Sequence, residues 1–188
     1  MTDDASTDRR WLDMAARLAT AALGSAGSGP TVGALVVDPS RQLLFGRAVT
    51  PPRGATQAEL LALTEAKGMT EGRTLYVTLE PAAHFTSHAP VTDQIVAAGI
   101  GRVVVGALDP DIERAGQGLA ALADAGIETE SIEHDPSRVL NEGYATRVTK
   151  HRPFVTLKMS LSADGMVGHA KPGTDSMLGP EALRFVER

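Results

Sequence analysis

The sequence predicts an α/β protein: a mostly parallel central sheet with helices on both faces, in three layers. Of its 188 residues 43% are hydrophobic but only 4% aromatic, so an aliphatic core is expected, as in sheets covered by helices. Short β-branched runs alternate along the chain with stretches of helical spacing, and glycines punctuate them. The length suits one globular domain with a short extension.

Leu12, Ala15, Ala16, Ala19 and Leu23 recur at helical spacing, which predicts a helix over 11–23, and the small residues of 24–30 break it. The polar, acidic residues 1–10 are expected to be a disordered tail. Residues 32–37 and 42–49 read as strands joined through Asp38-Pro39-Ser40, giving a β-hairpin. A helix follows over 58–66 with Gly68 as its stop, then a strand over 74–79. After a loop rich in Pro, Ala, His and Ser, a helix over 92–98 closes at Gly99 and a strand covers 102–107. The same alternation gives a helix over 119–125, a stop at Gly126 and an extended segment over 127–132. Arg152-Pro153 introduces a strand over 154–161, a tight turn over 162–165 and a last helix over 180–188. The domain boundary is placed near Lys150, with 11–150 as the main domain and 151–188 as a linker and first segment of something further.

The formal net charge is −5 with dispersed cations, which disfavours nucleic acid as a partner and favours small substrates. There is no cysteine, hence no disulfide and no thiolate metal site. The amino terminus has no apolar signal core and no run approaches a membrane span, so a cytoplasmic protein is the expectation.

Four stretches, in order and in register, then resemble one family. They are Thr74-Leu75-Tyr76-Val77-Thr78-Leu79-Glu80-Pro81; Ala97-Ala98-Gly99-Ile100-Gly101-Arg102-Val103-Val104-Val105; Asp109-Pro110 followed by Gly116-Gln117-Gly118; and Arg152-Pro153-Phe154-Val155-Thr156-Leu157-Lys158 leading to Ser162-Ala163-Asp164-Gly165. Together they are similar to the bifunctional pyrimidine deaminase/reductase family of riboflavin biosynthesis. The resemblance implies a cytidine-deaminase-like α/β/α sandwich followed by a dihydrofolate-reductase-like domain that uses NADPH.

Zinc deaminases hold the metal with one His and two Cys, and a Glu two residues after the His moves protons. Where the family has H-A-E, this sequence has Gln57-Ala58-Glu59. Where the family's two cysteines stand, it has Ala82 and Val91. The resemblance therefore implies a retained proton-shuttle carboxylate, Glu59, with every ligand position replaced and no metal bound there. Zinc lowers the pKa of bound water from about 15.7 to about 7, and at about 1.36 kcal/mol for each tenfold step that activation is worth up to ~12 kcal/mol. Glu59 alone does not replace it, although a carboxylate in the first turn of a helix is also favourable with no catalytic role.

Two alternatives stay open. His84 and His88, with Glu59 and Asp93 nearby, offer nitrogen and oxygen ligands for a relocated metal; or Glu59 with His84 or His88 runs altered hydrolytic chemistry as general acid and base. His84 matches a family histidine that is not a ligand, so a substrate-side or structural role is preferred for it. Substrate recognition has changed as well: the family's N-P-N-V-G, which helps hold the pyrimidine, reads Gly29-Pro30-Thr31-Val32-Gly33, leaving Thr31 as its polar remnant, and G-R-T-P-P reads Thr86-Ser87-His88-Ala89-Pro90.

In the family, reductase cofactor contacts begin near the position of Leu161. Too few residues follow for a complete reductase domain, so no cofactor is expected on this chain, and NADPH enters only where a whole reductase follows. The apolar strand expected over 154–161 needs cover, from its own domain or from a second subunit in a homodimer. The expected function is thus a catalytically degenerate, zinc-free member of the family, a scaffold, dimerisation or pyrimidine-binding domain for a riboflavin-type reductase.

Overall fold

The computed structural model describes residues 3–84, 89–159 and 161–166. Its first helix, α1 (Asp3–Thr20), runs through most of the segment expected to be a disordered tail, and that expectation is corrected for residues 3–10. Distant partners order it. Asp8, 1% exposed, accepts the Tyr76 hydroxyl at 2.6 Å and two Arg102 nitrogens at 3.0 and 2.9 Å. Arg102 is held in turn by Glu128 and Glu130. One turn beyond Asp8, Trp11 stacks on the Tyr76 ring with centroids 6.2 Å apart.

The expected hairpin follows as β1 (Gly33–Asp38) and β2 (Leu43–Val49), paired antiparallel. Its turn is fastened by the Asp38 carboxylate, which accepts the Ser40 hydroxyl at 2.6 Å and the Arg41 N–H at 3.2 Å. A single 3₁₀ turn, Pro52–Gly54, leads to α2 (Ala58–Glu65) and β3 (Thr74–Val77). Then come α3 (Val91–Ala97), β4 (Arg102–Val105), α4 (Gln117–Asp124) and β5 (Glu128–Ser131). The five strands lie in the order β2-β1-β3-β4-β5. β1 is antiparallel to both its neighbours while β3, β4 and β5 pair in parallel, so four strands share a direction and β1 alone opposes them.

Every residue of β1 is buried, because helices cover both faces of the sheet. Alternation sorts its side chains. Ala34 and Val36 join Ala58, Ala62, Ile95, Val103, Val105 and Leu122 beneath α2, α3 and α4. Leu35 and Val37 join Trp11, Leu12, Ala15, Tyr76 and Val104 beneath α1. Gly33 has to be glycine: a Cβ there would land on the Ala15 carbonyl of α1.

Two further helices, α5 (Asp135–Leu140) and α6 (Glu142–Lys150), are additions to the sequence expectation. α5 is short and α6 has few apolar residues, so neither leaves a clear periodic signal. The chain divides into two compact units, Met1–Phe154 and Val155–Arg188, so the break falls just beyond the expected boundary at Lys150. In the second unit the strand expected over 154–161 is not formed at its described residues, and Val155, Leu157 and Met159 are exposed. A ladder needs a neighbour to take its N–H and C=O groups, and the described residues of this unit supply none. The tight turn is present: Gly165 N–H donates to the Ser162 carbonyl at 2.9 Å, and Ser162 N–H to Met166 at 2.9 Å. The helix expected over 180–188 lies outside the described residues.

Candidate functional site

Four loops and the first turns of α2, α3 and α6 meet at one cavity of about 260 Å³. Gln57 is the residue before α2, with extended backbone at φ −87° and ψ 146°, and its side chain makes no capping bond. The residue lines the cavity, and its Oε1 is buried with no partner among the described residues. Ala82 follows the β3 strand end and Val91 opens α3. Their backbones touch directly, Val91 N–H donating to the Ala82 carbonyl at 3.0 Å. The three positions that the resemblance assigns to ligands therefore line one cavity, although eight residues separate Ala82 from Val91.

Glu59, in the first turn of α2, also lines the cavity and is 4% exposed. Burial pushes its carboxyl up from 4.5 to about 7, against a smaller lowering by its own backbone N–H. Titrating near neutrality, the group has its protonated, hydrogen-bond-donating form within reach there. Val32 and Leu79 give the cavity an apolar side, while His84, Asp109, Arg114 and Tyr144 supply polar atoms around it.

A metal finds a poor donor set here. Ala82 and Val91 carry no donor atom, and one neutral amide oxygen is a weak ligand beside imidazole or thiolate. Asp93, considered for a relocated metal, is exposed on α3 and does not line the cavity. Among the described residues no three His, Cys, Asp or Glu side chains come close enough together to hold a metal ion. His88 lies outside the described residues, as do the neighbouring residues 85–87 of the same loop.

His84 lines the cavity. Thr31 is placed differently: it is 5% exposed, its N–H donates to Asn141 Oδ1 at 2.8 Å, and its neighbours Pro30 and Val32 line the cavity where it does not. Leu161 is 56% exposed in the second unit.

Sequence reasoning missed the far wall. Tyr144 comes from α6, an element the sequence did not announce, and burial followed by the Asp109 charge raises its hydroxyl pKa. Asp109 and Arg114 sit on the β4–α4 loop, which is fastened to Glu80. One Glu80 oxygen accepts the N–H groups of Asp109 (3.1 Å) and Gly116 (2.9 Å), the other those of Gly118 (2.8 Å) and Leu119 (3.3 Å). The signal was in plain view as the Glu of Thr78-Leu79-Glu80-Pro81, but its partners are backbone groups, which leave no trace in residue identity.

A larger cavity of about 700 Å³ lies at the ends of β4 and β5 against α5 and α6. It borders His134, whose ring is engaged by Ser137 at 2.8 Å and Asp13 at 3.2 Å. It too is lined by ionisable side chains, Glu133, Arg138, Glu142 and Lys150, but the positions that the resemblance singles out line the smaller cavity.

Residues 5–107 match the family described as the cytidine and deoxycytidylate deaminase zinc-binding region. The riboflavin biosynthesis protein RibD of Aquifex aeolicus is 40% identical over 159 residues, 84% of this chain and 44% of that protein. The Escherichia coli protein of the same name is 32% identical over 96% of this chain and 49% of its own length. Among solved structures, RibD of Acinetobacter baumannii superposes with a TM-score of 0.85 at 34% identity, covering 97% of this chain and 51% of that one. A Thermotoga maritima diaminohydroxyphosphoribosylaminopyrimidine deaminase/5-amino-6-(5-phosphoribosylamino)uracil reductase gives 0.85 at 31% identity, covering 97% and 52%. The chain spans about half the length of these relatives.

Proposed function

Since the chain belongs to the cytidine and deoxycytidylate deaminase family, in its riboflavin-biosynthesis deaminase/reductase branch, we propose that its cavity binds a pyrimidine without deaminating it by the zinc mechanism. The observation that carries this reading is the convergence of Gln57, Ala82 and Val91 beside Glu59. Bound zinc would supply an activated water, and two of these three side chains have nothing with which to hold it.

The remaining groups suit binding. The Gln57 amide, whose oxygen is buried with no partner among the described residues, needs only a side-chain rotation to offer that oxygen to an N–H or amino group, and pairing it recovers about 1–3 kcal/mol. The protonated Glu59 carboxyl donates to a ring nitrogen or carbonyl. Val32 and Leu79 offer apolar surface to a ring, and a cavity of about 260 Å³ accepts one small heterocycle. On this reading the domain serves as a pyrimidine-binding or dimerisation scaffold for a riboflavin-type reductase, and NADPH belongs to that reductase.

The test is elemental analysis of protein purified without added metal and again after zinc reconstitution, with ammonia release measured on the phosphoribosylaminopyrimidine. We expect substoichiometric zinc and no ammonia. Stoichiometric zinc with turnover overturns the proposal.

One observation favours a second reading. A carboxyl that titrates near 7 is matched to acid and base work at neutral pH, so Glu59 with His84 could run a metal-independent hydrolysis. Any turnover that survives Glu59→Gln unchanged removes that reading.

A further inference from the structure

We infer that Glu80 is a positioning residue for ligand binding, its carboxylate holding the strap of residues 109–116 in place as a wall of the Glu59 cavity. The inference rests on reading that cavity as a ligand site.

A carboxylate that only capped α4 would engage the helix's first free N–H groups, and one Glu80 oxygen does this through Gly118 and Leu119. The second oxygen does something else. It takes the N–H of Asp109 and the N–H of Gly116, the two ends of the strap, and so clasps the loop at both feet. Between the feet the strap is braced by the Asp109 carboxylate, which accepts the Asp111 N–H at 2.9 Å, and by Arg114 with Asp111 at 3.4 Å. Asp109 and Arg114 are the strap residues that face the cavity.

The clasp also fixes where the wall stands. Glu80 is 7% exposed and its own N–H donates to the Ala107 carbonyl at 2.9 Å, so it is anchored between the ends of β3 and β4. A Cβ at Gly118 would strike the Pro81 carbonyl, so α4 lies directly on the loop that carries Ala82 and His84. Through one carboxylate the strap, α4 and the β3–α3 loop form a single frame around the cavity. Glu80 itself lines the cavity, but both its oxygens are taken by these backbone N–H groups, so it acts on a ligand through that frame.

Glu80→Gln separates positioning from plain stabilisation. The amide keeps the shape, but its NH₂ must face one pair of N–H donors and release it. We expect amide hydrogen exchange in that pair, Asp109 with Gly116 or Gly118 with Leu119, to accelerate at least tenfold while Tyr76 and Val104 in the central strands keep their protection. With it, the Kd for cytidine 5′-monophosphate, measured by calorimetry, should rise about tenfold. Unchanged exchange at all four amides, or protection lost evenly through β3 and β4, overturns the inference. If the variant does not fold, the wild type decides: Asp109 and Gly116 must exchange far more slowly than open loop amides, and fast exchange there overturns it equally. If the wild type binds no cytidine monophosphate while Glu80→Gln releases the strap, the ligand-site reading fails and Glu80's hold on the strap stands.

Discussion

The buried carboxyl of Glu59 makes protein stability depend on pH in a calculable way, and Glu59→Gln isolates the effect. In the folded protein the group titrates at about 7 because burial penalises its charge; unfolded, it titrates near 4.5. Below the lower value both states hold the proton and Glu59 imposes no cost. As pH rises from there the unfolded chain releases its proton first, so the unfolded state gains and stability falls until the folded group ionises too. The full span corresponds to about 3 kcal/mol, lost between roughly pH 4.5 and 7 and level beyond. Gln has nearly the same shape and no charge to lose. The expected result is therefore a variant similar to the wild type at pH 4 and more stable by up to about 3 kcal/mol at pH 8. Urea unfolding of both proteins at several pH values measures this, and their difference cancels the other titrating groups. A difference that stays flat from pH 4 to 8 would refute the assignment of Glu59 as a desolvated carboxyl.

Three further outcomes test other parts of the structure. The triple substitution Gln57→His, Ala82→Cys, Val91→Cys should create a zinc site of about one ion per chain in elemental analysis, because the three positions already line one cavity; failure to take up zinc would show that they are not so placed. Arg102→Ala strands the Asp8 carboxylate, 1% exposed, without its ion partner, and should cost about 3–5 kcal/mol in urea unfolding. Gly33→Ala drives a methyl group into the Ala15 carbonyl and should cost at least about 1–3 kcal/mol, with α1 losing its seat on β1; a neutral result would mean that α1 and the hairpin are not in contact at Gly33.

The sheet and the helices that flank it were legible because their signals are local. Gly99 and Gly126, expected to stop helices, follow α3 and α4 with φ of +70° and +87°, a region where other residues are strained. Local signals also placed Gln57 and Glu59 at one helix start, and the resemblance placed Ala82 and Val91 across the loop from them. What escaped was held by distant partners or by none. The first ten residues look like a tail by composition, yet Asp8 is fixed by Tyr76 and Arg102. Residues 154–161 have strand composition, but a strand is a property of two segments. Glu80 was noticed only as a letter in a motif, since its function lies in four backbone N–H groups that any residues could have offered.

The tie between Asp8 and Arg102 spans 94 residues, and that distance sets an order of events as the chain is made. At roughly 5–20 residues added per second, α1 waits on the order of 5–20 s for the arginine that will neutralise its buried aspartate. In that interval Trp11, Leu12 and Ala15 meet Leu35, Val37 and Tyr76 as these emerge, but still lack Val104 and Ile132 of the finished cluster. α1 is thus made well before the arginine that completes its seat, and its apolar face is the surface that a nascent-chain chaperone would have to shield.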